Sequence, residues 1–177
     1  MKEVDEFYIM SLIRNYIATA NQSGQQVNVA QESPAPDEKL QVGDYIAQYA
    51  KTNESRAKHI RSIWDDVQQD PQKYSHQRVE EVLENSIKQE SRQVIIQLAD
   101  DFGLDYDKLQ YVMDNYDPDN SNPKGMENLV SRRYFDKFKE EHPHTQFQNF
   151  LDWKGQVRRQ VKKVYETQIR PLTTEIS

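Results

Sequence analysis

Residues 75–109, SHQRVEEVLENSIKQESRQVIIQLADDFGLDYDKL, decide the fold class. Val79, Val82, Leu83, Ile87, Val94, Ile95, Leu98 and Phe102 recur at the three- and four-residue spacing of one helical face, with charged and amide side chains between them. Ser75 stands where a side-chain oxygen can cap the open backbone donors of a helix start. Gly103 can take the left-handed conformation that ends helices, and Asp105 is placed to cap the next one. A stripe this long is stable only against other apolar surface. The stretch therefore reads as part of a helix-packing module.

The same reading extends in both directions. Toward the N-terminus, a helix is expected over 3–20 with Val4, Phe7, Tyr8, Leu12, Ile13, Tyr16 and Ile17 facing inward. Residues 21–37, with Pro34 and Pro36 and no periodicity, are expected to be a flexible loop or linker. Asp37 is placed to cap a helix reaching about residue 50, with Leu40, Tyr45, Ile46 and Tyr49 inward. Another over 54–68, carrying Ile60, Ile63, Trp64 and Val67, is broken by Asp70-Pro71. Beyond the quoted stretch, Leu109, Val112, Met113 and Tyr116 form a short amphipathic segment, and 117–124 is polar loop. A helix over 126–141 carries Met126, Leu129, Val130, Tyr134, Phe135 and Phe138 and stops at His142-Pro143. A short aromatic helix over 145–153 and a last one over 155–170, ended by Pro171, complete the chain. No alternating strand pattern runs beyond a few residues. The expected fold is all-α, an irregular bundle of about seven or eight helices with no significant sheet. For 177 residues, a single domain over 1–177 is preferred to two small lobes sharing an interface.

Composition narrows the function classes. The chain has no cysteine, which excludes disulfides, cysteine zinc sites and thiol catalysis and fits the cytoplasm. No apolar run approaches the ~20 residues of a membrane span, and the first residues lack the layout of a signal peptide. Ten Tyr, six Phe and two Trp make up for a low aliphatic content and predict aromatic helix contacts. The net charge of -6 is uneven: residues 1–123 hold 12 basic against 22 acidic side chains, and 124–177 hold 11 against 7. Any polyanion contact must come from the last third.

The chemical motifs weigh toward ordinary structure. Asp117, Asp119 and Ser121 alternate as in the opening of a calcium loop, but Asn122 and Asn128 stand where such a loop needs Gly and Glu, so turn chemistry is the better account. His142 and His144 would interest a metal only with further ligands, and His142 suits the negative pole of a helix end. His59 and His76 are expected in solvent. Glu80, Glu81, Glu84 and Lys88 read as a solvated helix face rather than a catalytic acid pair. No phosphate loop, nucleophile elbow or His-Glu-x-x-His pair is present, so no metal and no catalytic residue is assigned. Arg158 with Lys162, and Arg159 with Lys163, lie one helical turn apart and form a candidate nucleic-acid-binding face that Arg132 and Arg133 extend if the helices pack side by side.

Two stretches carry a family resemblance. One holds Asn53, Arg56, Lys58, Ile60, Ile63 and Trp64; the other closes the long helix through Asp101, Gly103, Leu104, Asp105, Lys108 and Leu109 and runs on to Tyr116 and a polar turn with Gly125. With the helix from Phe7 to Ile17, they resemble the C-terminal helical region of the R subunit of type I restriction enzymes, the subunit that carries the nuclease and the ATP-driven DNA translocase. The tail from Met126 onward departs from the familiar pattern. The resemblance implies a C-terminal fragment of a larger protein, docking the motor subunit onto the methyltransferase and specificity subunits. The parent's ATP and Mg belong to regions without a counterpart here, so no cofactor and no catalytic residue carries over to this segment.

The expected function is accordingly a helical assembly domain in a cytoplasmic restriction complex, with Tyr134, Phe138, Phe147, Phe150 and Trp153 as candidate partner-binding side chains. Those aromatics are also candidates for core. A standalone nucleic-acid-binding module using the last helix is the alternative, and an enzyme with an unrecognised acid pair a weaker third. An R-subunit origin requires helicase-like and nuclease sequence upstream in one reading frame; a complete gene of 177 residues rejects it.

Overall fold

The computed structural model describes residues 5–25, 36–120 and 122–173. Its regular elements are α1 (Glu6–Gln25), α2 (Pro36–Ala50), α3 (Glu54–Gln69), α4 (Val79–Phe102), α5 (Tyr106–Asp114), the single turn α6 (Met126–Leu129), α7 (Arg132–Glu141), α8 (Phe150–Val164), a π-helical segment (Tyr165–Ile169) and the short α9 (Arg170–Thr173). The described residues contain no strand, and the fold is all-α. The chain divides into two compact units, Met1–Lys88 with Pro171–Ser177, and Gln89–Arg170. Of the expected flexible segment 21–37, residues 21–25 continue α1 and 36–37 begin α2, where proline suits the first helical position; 26–35 lie outside the described residues.

The first unit buries Ile9, Met10, Ile13, Tyr16 and Ile17 from α1 against Val42, Ile46 and Tyr49 of α2, Ala57, Ile60, Ile63, Trp64 and Val67 of α3, and Val79, Leu83 and Ile87 of α4. The α1 face is rotated from the expected one. Phe7 is 73% exposed and Tyr8 46%, because the stripe through Ile9, Ile13 and Ile17 sets the inward direction. Tyr16 meets Trp64 edge-on, with centroids 4.9 Å apart.

This unit also buries a cation, Arg56. Asn53 caps α3 by accepting from the Arg56 backbone N–H at 3.0 Å, and its amide donates to the Pro171 carbonyl at 2.6 Å. Arg56, 2% exposed, donates from Nε and Nη2 to Glu6, from Nη2 to Glu84 at 2.8 Å, and from Nη1 to the Leu172 carbonyl. Burial alone lowers the affinity of a guanidinium for its proton, but Glu6 and then Glu84 outweigh that penalty and hold the pKa above its ordinary value. Beside them, burial and the Glu6 charge push the Tyr49 phenol up to about 12, against the opposing pull of Arg56. Glu84 is thus tied across helices rather than only solvated, as Glu80 is through Arg14. His59 is half-buried with Nδ1 2.6 Å from Ser86 Oγ, not free in solvent.

Helix α4 begins at Val79, three residues later than a cap at Ser75 would place it. Ser75 instead organises a turn, its Oγ accepting from the Gln77 N–H and its carbonyl from Arg78. The far end of the helix closes as expected: Gly103 has φ +70°, and the Leu104 N–H reaches back to the Ala99 carbonyl at 2.8 Å, the six-residue closure of a Schellman motif. A Cβ at Gly103 would lie 2.7 Å from the Phe138 ring, so packing demands glycine as well as the backbone. Asp105 caps α5 through the Lys108 N–H at 3.0 Å.

The second unit packs Ile95, Leu98, Ala99 and Phe102 of α4 with Leu109, Val112 and Met113 of α5 and the aromatic residues that follow. Three boundaries differ from the sequence reading. The expected helix over 126–141 is broken at Val130-Ser131, because Met126 and Phe135 would lie about 180° apart on one helix, yet both are buried. The two expected segments at 145–153 and 155–170 are one helix from Phe150, capped by Asn149 and running through Gly155. Pro171 does not end the chain's last helix. The buried positions step from Val164 to Ile169 and then Leu172, and the π-helical turn, in which Arg170 donates to the Tyr165 carbonyl five residues back, absorbs that wider step before the proline.

Removing Arg56 leaves Glu6 and the Leu172 carbonyl buried without their donor. Arg56→Ala is expected to cost about 3–5 kcal/mol in urea unfolding, against less than about 1 kcal/mol for Glu84→Gln, whose side chain is 58% exposed. The raised Tyr49 pKa means the folded state favours the neutral phenol. Its contribution is complete below pH ~10 and is lost as pH rises toward ~12, on the order of 2–3 kcal/mol. Arg56 stays charged throughout this window in both states and adds no slope. Unfolding midpoints measured from pH 9 to 12 should fall, and Tyr49→Phe should flatten that fall.

Candidate functional surface

The candidate residues all lie in the second unit, on α7, α8 and the loop between them. Asn149 Oδ1 accepts from the Asp152 N–H at 2.8 Å, and Trp153, Val157, Val161 and Val164 then form the buried stripe of α8. Asp152 in the first turn and Lys162 and Lys163 in the last complement the helix dipole. Trp153 is 0% exposed, and its indole Nε1 donates to the Phe102 carbonyl at 2.9 Å, satisfying an acceptor that the end of α4 leaves open.

This arrangement sorts the five aromatic candidates. Phe138, Phe147 and Trp153 are core, as the second account of them held: Phe147 stacks on Phe102 at 5.3 Å and lies 6.0 Å from Phe138, and Phe135 meets Trp153 at 5.5 Å. Tyr134 and Phe150 are half-buried at the edge of that core. Each carries cations on its outer face. Arg133 and Lys108 lie over the Tyr134 ring, Lys108 also donating to its hydroxyl at 2.8 Å, and Arg132 and Lys154 lie over Phe150, each 5.8 Å from the centroid.

The basic candidates separate into two places. Arg159, Lys162 and Lys163 are exposed, while Arg158 is half-buried, with Nη2 3.4 Å from Glu127 and Nε buried without a hydrogen-bond partner. Arg132 and Arg133 stand at the opposite end: Arg132 covers Phe150, which precedes Arg158 by about 12 Å along the helix axis. The four basic candidates of α8 therefore stand apart from Arg132 and Arg133, and Arg158 among them is partly neutralised. Leu151, absent from the expected site residues, is 75% exposed on the same side of α8. Its place opposite Trp153 and Val157 on a helical wheel was the available signal.

The remaining motifs are engaged locally. Asp117 Oδ1 accepts from the Asp119 N–H and Asn120 Oδ1 from the Asn122 N–H, each at 2.9 Å, the pattern of successive Asx turns. His142 ends α7, its Nδ1 3.1 Å from the Phe138 carbonyl and its ring on Phe138. Among the described residues, no group of three or more His, Cys, Asp or Glu gathers in a way that could hold a metal ion. None of the described helices is long and apolar enough to cross a membrane.

The family model described as type I restriction and modification enzyme, subunit R C terminal, matches residues 1–175. No curated protein and no solved structure matches the chain.

Trp153→Phe keeps the aromatic volume but strands the Phe102 carbonyl. It should lower stability by about 1–3 kcal/mol in chemical unfolding. A partner-facing role alone predicts no such loss.

Proposed function

The chain belongs to the family of C-terminal regions of type I restriction enzyme R subunits, and from that membership we propose that it is the assembly domain that docks the motor subunit onto the methyltransferase and specificity subunits. The observation that carries the reading is the extent of the family match, residues 1–175, which takes in both helical units. The architecture supports it. Two helical cores with side-chain-capped helices present packed helix faces, and docking needs such surfaces rather than a reaction centre. In this role the domain binds partners in the cytoplasm, while ATP and Mg serve the parent subunit elsewhere.

The exposed cations Arg159, Lys162 and Lys163 favour a second reading, contact with the DNA backbone. Glu127 beside Arg158 weighs against it, because a carboxylate on the row repels phosphate.

The test compares the complete R subunit with one lacking this region, each mixed with the methyltransferase–specificity complex and followed by analytical gel filtration. The shortened subunit should stay out of the complex at concentrations where the complete one enters it. Equal incorporation of both rejects the assembly role.

A further inference from the structure

Helix α8 turns its stripe of Trp153, Val157, Val161 and Val164 into the core, so its opposite face is set by geometry. Leu151, Gly155, Arg158 and Lys162 follow one another along that face at steps of three and four residues, with Lys154 and Arg159 at its margins. Leu151 is 75% exposed, an apolar side chain in water at the head of a basic row.

Gly155 adds an independent observation. Glycines 103 and 125 have positive φ, and neighbouring rings crowd the place of a side chain at both. At Gly155 the backbone is ordinary helix, and an added Cβ would meet nothing nearer than Arg159 Nη1 at 3.7 Å, an ordinary contact with a flexible group. Glycine within a helix weakens it roughly fivefold in its folding equilibrium compared with alanine. The chain's own packing supplies no reason for that weakening at Gly155, nor at Gly43 of α2, where an added Cβ would meet nothing within 4 Å; Gly155 differs in standing beside an exposed leucine and a row of cations. A bare backbone position next to an exposed leucine is what the close approach of a second helix requires.

We propose that the outer face of α8 is the docking site for an acidic amphipathic helix of a partner subunit. An apolar side chain of the incoming helix covers Leu151, its backbone passes closest at Gly155, and its carboxylates pair with Arg159, Lys162 and the free edge of Arg158. Charge complementarity selects the occupant: Arg158, Arg159, Lys162 and Lys163 outnumber Asp152 and Glu127 on this side of α8. Duplex phosphates would use the cations but gain nothing from Leu151 or from the missing side chain at 155. This inference rests on the assembly role proposed above and gives it a face and a partner chemistry.

The test uses the complete R subunit, the methyltransferase–specificity complex and a labelled DNA duplex. Gly155→Gln inserts a good helix former and Leu151→Glu changes a side chain already in water, so thermal melting should hold steady or rise. Both variants should weaken assembly at least tenfold. Arg159→Glu with Lys162→Glu should do the same, and added salt should weaken wild-type assembly. If deleting the whole region abolishes assembly while the Gly155 and Leu151 variants assemble like wild type, the face is wrongly assigned although the assembly role stands. If those two variants are neutral and charge reversal instead removes DNA retention, the face is a phosphate contact and the proposal is overturned. If the deletion itself changes nothing, the assembly role fails and this inference falls with it.

Discussion

A guanidinium cannot be buried without acceptors, and Arg56 is 2% exposed. Its fork takes Glu6 from the first helix, Glu84 from the fourth and the Leu172 carbonyl from the end of the described chain. Asn53, one turn earlier, caps the same helix and holds the Pro171 carbonyl. Four segments far apart in sequence are thereby brought to one point, and the apolar core of the first unit packs around it. A hydrophobic replacement could fill the volume but could not tell these segments where to meet. Directional donors can, because an unpaired acceptor in that environment costs several times what a paired one contributes.

The second unit uses a smaller version of the same device. The Trp153 indole satisfies the Phe102 carbonyl at the end of α4, and the aromatic rings of 102, 135, 138 and 147 gather around it. One helix serves both units. Val79, Leu83 and Ile87 of α4 belong to the first core and Ile95, Leu98, Ala99 and Phe102 to the second, while the residues from Lys88 to Gln93 include no buried side chain. The chain returns to the first unit through the π-helical turn, where an extra residue re-aims the apolar stripe before Pro171 and Leu172.

Function follows from what these cores leave outside. Burying the stripe of Trp153, Val157, Val161 and Val164 leaves α8 with an outer face whose composition the core does not dictate. An exposed leucine, an unforced glycine and a row of cations on that face are properties that packing inside the domain does not account for. Such residues are the natural place to look for a partner's imprint, and the family to which the chain belongs supplies a context in which partners are expected.

What could be read without coordinates was what depends on near neighbours in the chain. The helical class, the Gly103 stop, the Asp105 cap and the breaks at Asp70 and His142 all rest on three- and four-residue spacing or on a single side chain meeting its own backbone. The stretches from Asn53 to Trp64 and from Asp101 to Leu109, with the helix from Phe7 to Ile17, carried the resemblance to the family that the match over residues 1–175 shows. Tertiary packing alone decided which way amphipathic faces turn and which polar groups go inside. It rotated α1 so that Phe7 and Tyr8 face water, broke the helix at Val130, ran α8 through Gly155 and carried it past Val164, and it buried Arg56, Phe138, Phe147 and Trp153. Each of those outcomes depends on partners tens of residues away. Local periodicity shows that a stripe must be buried, but only the shape of the opposing surface fixes where.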